Sequence, residues 1–374
     1  MFDTTETIVL YLTIMLIMMI STALTPSNII GKKKTQYFYY ILPIGLYTLF
    51  WGLRYNVGAD YLSYQHMYEN IYAYADYIEH GFVFLIYFLK QLNLSSVSLF
   101  LITSFIPITL LYISACEKKT ILIFSIFFYF TTTIVLFNQN GIRQAIALAI
   151  LLLICAKKDL YKWTILLVLG IISILFHKSA VIPLSIFLII YLLPTLTEKK
   201  ILFNKYLLIL IVLSLQVYGQ TLYNLLINNI EPLFLLLDYH NFSHVDKWDK
   251  NVVTSSGIGV IIRILTYCIA IFYAPSIIKK NQYRSFYIFY IFFIIGILLE
   301  PIIAQNSYFK RMNLYFLSTR IFIYSYLLDY LITTRKNKII NFFIITFIIT
   351  THILLFIYEL SNNSNLCVPY QYLF

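Results

Sequence analysis

GFVFLIYFLKQLNL, the stretch Gly81 to Leu94, decides the topology of this chain. It is apolar enough to enter a bilayer, yet as a helix it would rise only about 21 Å, short of the roughly 30 Å of hydrocarbon that a span must cross. Lys90 near its end adds a charge. A span, a re-entrant hairpin and an interfacial helix all fit these residues, and the choice between them sets the membrane side of every later loop. The rest of the chain arbitrates.

Composition sets the solvent first. Of 374 residues 60% are hydrophobic and 11% charged, where soluble domains carry about a quarter charged, and the mean hydropathy is +0.81. No soluble fold hides that much apolar surface. Apolar, helix-length runs recur at roughly 7–25, 36–53, 97–115, 120–137, 141–156, 161–176, 178–194, 203–219, 258–278, 285–304, 313–332 and 339–358. The expected fold is an all-α, polytopic transmembrane helical bundle of about 12 spans, forming one integral membrane domain over residues 1–374. The first run, Ile8 to Leu24, ends at Thr25-Pro26 with no small-residue cleavage site and with its basic residues after it, so it reads as a retained helix.

If Gly81 to Leu94 does not cross, six basic clusters fall on one side: Lys32 to Lys34, Lys118-Lys119, Lys157-Lys158-Lys162, Lys199-Lys200-Lys205, Lys279-Lys280-Arg284 and Arg335-Lys336-Lys338. They hold seventeen cations against eight opposite, with Arg263 and Arg320 inside spans. Basic loops stay cytoplasmic. If the stretch crossed, the Lys32 to Lys34 cluster would oppose all later ones. The non-spanning reading therefore prevails and puts both termini outside.

Two outer segments, about 54–96 and 220–257, are too long for turns and carry aromatic and titratable residues instead of linker composition. Chemistry is expected there. The net charge of +11 sits in short loops, where it orients helices, and argues against nucleic acid. Cys116, Cys155, Cys268 and Cys367 show no metal-like spacing, so neither a metal nor another cofactor is expected.

Four polar clusters stand out on the outer side. Arg54 to His66 combines an arginine fork suited to phosphate, Gly58 for a sharp turn, Asp60, Tyr64 and His66; its plain alternative is an Arg54 to Asp60 salt bridge closing a loop. Asn138 to Gln144 leads into a run with Ala145, Ala147 and Ala149, small residues that allow close helix packing. Arg143 near a helix N-terminus opposes the helix dipole and requires an anionic partner. Phe176-His177-Lys178-Ser179-Ala180 is a short break in which Lys178 is either a ligand or a headgroup anchor. Lys310-Arg311 precedes Asn313 where a late span begins. Within the bilayer, Arg263 and Arg320 each need a partner, for which Glu300 is available.

Taken together, Arg54, Val57-Gly58-Ala59-Asp60, Tyr64, Glu79-His80-Gly81-Phe82, Arg143-Gln144 with Ala147 and Ala149, Phe176 to Ala180 and the terminal Val368-Pro369-Tyr370 resemble the EpsG family of Wzy-type polysaccharide polymerases. Ala59 stands where that family's pattern has Thr, and the Asp238 to Lys250 loop matches nothing in it. The resemblance implies a metal-independent membrane glycosyltransferase of the bacterial cytoplasmic (inner) membrane, with its site facing the periplasm or exterior. It would join oligosaccharide repeat units carried on undecaprenyl diphosphate into O-antigen, capsule or exopolysaccharide. Its implied partners are lipid-linked donor and acceptor, membrane lipid, a chain-length regulator and a flippase. Under it Arg54, Arg143, Lys178, Lys310 and Arg311 hold the diphosphate, and Asp60 or His177 takes the acceptor proton. Tyr64, His66, Gln144, Tyr239 and Trp248 bind sugar, with Phe242 a further loop aromatic. A lipid-linked oligosaccharide flippase and a membrane acyltransferase acting on the glycan are the competing classes.

Overall fold

The structure is a computed structural model that describes residues 2–25, 33–192, 204–236, 257–280, 285–304, 306–334, 337–363 and 365–373. Its named elements are all helices: α1 (Thr4–Ala23), α2 (Lys33–Gly52), α3 (Tyr61–Glu69), α4 (Ile71–Tyr74), α5 (His80–Gln91), α6 (Ser96–Ala115), α7 (Lys119–Thr131) and α8 (Ile134–Asn140). Then come α9 (Ile142–Lys157), α10 (Trp163–Phe176), a 3-10 turn (Lys178–Ala180) leading into α11 (Val181–Leu192), and α12 (Lys205–Leu236). The last are α13 (Ile258–Lys280), α14 (Phe286–Ile302), α15 (Ser307–Leu317), α16 (Arg320–Thr333) and α17 (Lys338–Asn362).

Five helices are long and apolar enough to cross a membrane: Thr4–Ala23, Ser96–Ala115, Lys205–Leu225, Ile258–Lys280 and Lys338–Asn362. The pair α7 and α8 forms a sixth if its 59° bend is counted within one span. The bend follows from Thr133, whose φ of 64° breaks the helix. This is a membrane protein, although among the described residues the helices that pass this test number five or six, not twelve. Several of the other expected spans are shorter, such as α10 with 14 residues. The arrest comes at polar breaks such as His177-Lys178.

Contacts divide the chain into two compact units, residues 1–189 with 320–374, and residues 190–319. In the first, α9 is buried along nearly its whole length and packs on α6 and α10. Ala145, Ala147 and Ala149 line it, and Ser173 Oγ of α10 donates to the Ala147 carbonyl at 3.0 Å. The small side chains are what bring the backbones that close. Elsewhere in this unit α7 and α16 are tied by Lys118 to Asp329 at 3.2 Å. Apolar residues of α10 such as Val168 and Ile171 point outward, as a lipid-facing helix requires.

The stretch that decides the topology becomes α5, whose 12 residues span about 18 Å, too little to cross. Phe82, Val83, Ile86 and Leu89 bury one face in an aromatic cluster with Tyr61, Tyr64 and Tyr68 of α3 and Phe100 of α6. Phe84 and Phe88 stay exposed on the other. Residues 54–96 thus form a small helical subdomain.

In the second unit α12 runs on to Leu236, where the sequence reading began a loop at Gln220. Apolar Leu222, Tyr223 and Leu225 extend the helical pattern past that point. Gly219 lies against the Pro301 carbonyl so closely that a Cβ would come within 2.7 Å. Arg263 finds its counter-ion in Glu300 at 3.4 Å, and Tyr267 donates to the same carboxylate at 2.8 Å.

Candidate functional site

The chain from α2 to α3 turns on Arg54 and Gly58. Arg54 is almost fully buried, and its guanidinium donates to the carbonyls of Trp51 (2.5 Å), Val57 (3.1 Å) and Gln139 (3.2 Å). Its carbon centre lies 4.8 Å from the Phe100 ring centroid. Burial lowers the proton affinity of Arg54, and the same low-dielectric setting pushes the neighbouring Cys367 thiol up to about 12. No Arg54 to Asp60 salt bridge forms. Gly58 has φ +100°, and a Cβ there would meet Asn140 Oδ1 at 2.8 Å. Its amide donates to the Leu366 carbonyl at 2.8 Å.

That last bond belongs to a tail that seals this end of the first unit. Tyr370 is wholly buried, Tyr11 donates to the Cys367 carbonyl at 2.6 Å, and the Tyr55 amide donates to Gln371 at 2.9 Å. The Phe2 amide reaches the Tyr370 carbonyl at 3.3 Å, so the two chain ends meet.

A second cluster gathers α3, α5, α9 and the 3-10 turn. Glu79, immediately before α5, pairs through Oε2 with Arg143 Nη1 on the first turn of α9. Its Oε1 accepts from the Lys178 amide at 3.4 Å. Tyr64 hydrogen-bonds the same guanidinium, which also lies 5.9 Å from the Phe82 ring centroid. Glu79 is thus the anion that Arg143 required. Arg143 Nε is buried with no acceptor among the described residues. Beside the cluster, His177 Nδ1 and Ser179 Oγ lie 2.6 Å apart.

From this cluster an apolar groove of about 520 Å³ runs between α5 and α10, lined by His80, Gly81, Phe84, Phe88, Leu175 and Phe176 among others. Gly81 makes the floor possible, since a Cβ there would sit 2.8 Å from the Leu175 carbonyl oxygen.

The structure therefore brings Arg143 and the Lys178 amide onto one carboxylate, with Tyr64 on the Arg143 guanidinium and His177 preceding Lys178 at the same turn. Arg54 is placed otherwise, enclosed by carbonyls. Asp60 precedes α3 one turn before Tyr64, partly exposed, and caps nothing with its side chain. His66 is exposed and faces Tyr74, Nδ1 to the hydroxyl at 3.1 Å. Gln144 is buried in α9. Lys310 and Arg311 are exposed on α15, in the second compact unit. Tyr239, Phe242 and Trp248 lie outside the described residues.

The family model described as the EpsG family matches residues 37–372. The chain belongs to the EpsG family. No curated protein and no solved structure matches it. Seen as an EpsG member, its motif Glu79-His80-Gly81-Phe82 acquires physical content: the carboxylate pairs Arg143, the glycine admits α10, and the phenylalanine lies beneath the guanidinium. The sequence alone gives Glu79 no role. The signal that could have found it was Arg143 on the first turn of a helix, which demanded an acid as partner.

Proposed function

We propose that this EpsG-family protein polymerises oligosaccharide repeat units carried on undecaprenyl diphosphate, at the outer face of the bacterial cytoplasmic membrane, to build O-antigen, capsule or exopolysaccharide. The observation that carries the reading is the Arg143 and Lys178 amide pair at the head of an apolar groove between α5 and α10. A lipid diphosphate needs that combination: a cationic fork for its phosphates and a greasy channel, open to the bilayer, for its tail. Lys178 adds an exposed cation at the same turn; the sequence reading names Lys310 and Arg311 for the diphosphate as well.

In this reading about twelve apolar helices cross or enter the bilayer, both termini lie outside, and the subdomain 54–96 faces the periplasm or exterior. The acceptor hydroxyl attacks the anomeric carbon of the donor, the bond to the diphosphate breaks, and Arg143 stabilises the charge that leaves. The acceptor proton passes to a base, for which Asp60 and His177 are the candidates named by sequence. Tyr64, His66, Gln144 and the loop aromatics Tyr239 and Trp248 are assigned to the sugars. A flippase and a chain-length regulator would work beside it.

Glycan electrophoresis of a deletion strain tests the reading. Lipid capped with a single repeat is expected. Accumulation of unflipped, cytoplasm-facing lipid-linked repeat would instead identify a flippase.

A further inference from the structure

We propose that Glu79 is the proton acceptor of the transfer and that Arg143 holds it idle until the substrate's diphosphate takes its place. The inference rests on the polymerase reading and deepens it. Glu79 uses both carboxylate oxygens as an anionic ligand would, one on the Arg143 guanidinium and one on the Lys178 amide. It therefore occupies the position where a phosphate would find the same donors. The guanidinium still has Nε buried without an acceptor, so a single carboxylate does not fill the donor set of the fork. A diphosphate, with more oxygens, does. The Glu79 side chain is 11% exposed and that of Arg143 25%, so the pair is reachable from the surface of the cluster.

Exchange of one anion for another changes what Glu79 can do. A carboxylate held by a guanidinium and an amide has both oxygens engaged; once the diphosphate takes those donors, the carboxylate oxygens are free to accept a hydrogen bond from the acceptor hydroxyl. Entry of the diphosphate thus releases the base. The acceptor hydroxyl oxygen then forms its bond to the anomeric carbon and passes its proton to Glu79. The bond between that carbon and the diphosphate oxygen breaks, and the electron pair leaves with the diphosphate, held by Arg143 and the Lys178 amide. Departure of the lipid diphosphate lets Glu79 give its proton to water and pair with Arg143 again.

The test uses full-length protein in lipid nanodiscs with undecaprenyl diphosphate as binding probe and a lipid-linked repeat unit as substrate. Glu79→Gln keeps the shape of the side chain and one accepting oxygen, but it loses the charge and cannot accept the proton. It should bind undecaprenyl diphosphate about tenfold tighter than wild type, because the competing charge is gone. Its single-turnover elongation should fall by about 100-fold or more. Glu79→Asp should recover part of that rate. Elongation by Glu79→Gln within about threefold of wild type would show that Glu79 only shapes the cluster, and weaker binding would overturn the exchange. Arg143→Gln, expected to lose binding of the probe, checks that the fork is the competed site; full binding by it also overturns the exchange. Wild-type protein that binds the probe yet elongates nothing would sink the polymerase reading and the proton step with it, while tighter binding by Glu79→Gln would still establish the exchange.

Discussion

The ring of Tyr370 lies flat on that of Phe50, centroids 4.4 Å apart and planes within 5°. Through this stack the last residues of the chain close over the end of α2, with Tyr11 and Trp51 edge-on to the same ring. The Tyr370 hydroxyl donates to the Phe50 carbonyl. Tyr370→Ala should cost about 3–5 kcal/mol, the range for losing a buried aromatic. Tyr370→Phe should cost about 1–3 kcal/mol by leaving the carbonyl unpaired. Thermal unfolding in detergent, followed by size-exclusion chromatography, measures both; equal stability of all three proteins would deny the tail its structural role.

Arg54 is expected to matter for folding before it matters for catalysis. Its guanidinium satisfies three backbone carbonyls from two separate segments, and Arg54→Lys cannot reproduce that planar fork. A loss of about 3 kcal/mol or more is expected, with less folded protein recovered from membranes. Arg54→Lys that accumulates and melts like wild type, but makes no glycan, would return Arg54 to the diphosphate site.

Gly81 and Gly45 make a matched pair. A Cβ at Gly81 meets the Leu175 carbonyl, whereas at Gly45 nothing lies within 4 Å. Gly45→Ala should be neutral or stabilise α2 by up to about 1 kcal/mol. Gly81→Val should force α5 from α10, widen the head of the groove and shorten the glycan ladder. Equal ladders from the two variants would dissociate the groove from function.

Cys367 should resist alkylation in the folded protein. Its thiol is buried and pushed up to about 12 by that burial, with nearby Arg54 offsetting part of the effect. Only the thiolate reacts, so at pH 8 a variant retaining Cys367 alone should take up maleimide only after unfolding. Labelling at the rate of an exposed thiol would contradict the packing of the tail.

Accessibility of engineered cysteines checks orientation. Ser63→Cys, exposed on α3, should react with an impermeant reagent from outside, and Thr334→Cys, beside the Arg335 cluster, should not. The opposite pattern would invert the topology.

Apolar runs place most of the helices within a few residues, because lipid-facing surface leaves a long, unambiguous signature. The short helices α3 and α4 were less legible. Tyr61, Tyr64 and Tyr68 repeat at helical spacing, but tyrosines in an outer loop also fit sugar binding, and only their packing against Phe82 and Phe100 separates the two. The enclosure of Arg54 was not legible for a related reason. Its chemistry suits phosphate, and nothing local shows that carbonyls from residues as distant as Gln139 enclose it.

By itself the sequence determined the solvent of this protein, the approximate helix positions, the shortness of the apolar stretch Gly81 to Leu94, and family membership. Each follows from composition, run length or local motif, which need no knowledge of distant contacts. Only the tertiary structure decided which arginine is enclosed and which is paired. Arg54 and Arg143 are alike in charge and in polar surroundings along the chain. One is folded into a cage of carbonyls, the other set against Glu79 at the mouth of a groove, by helices that meet only when packed. Electrostatic role depends on burial and on partners remote in sequence, and those are fixed by packing.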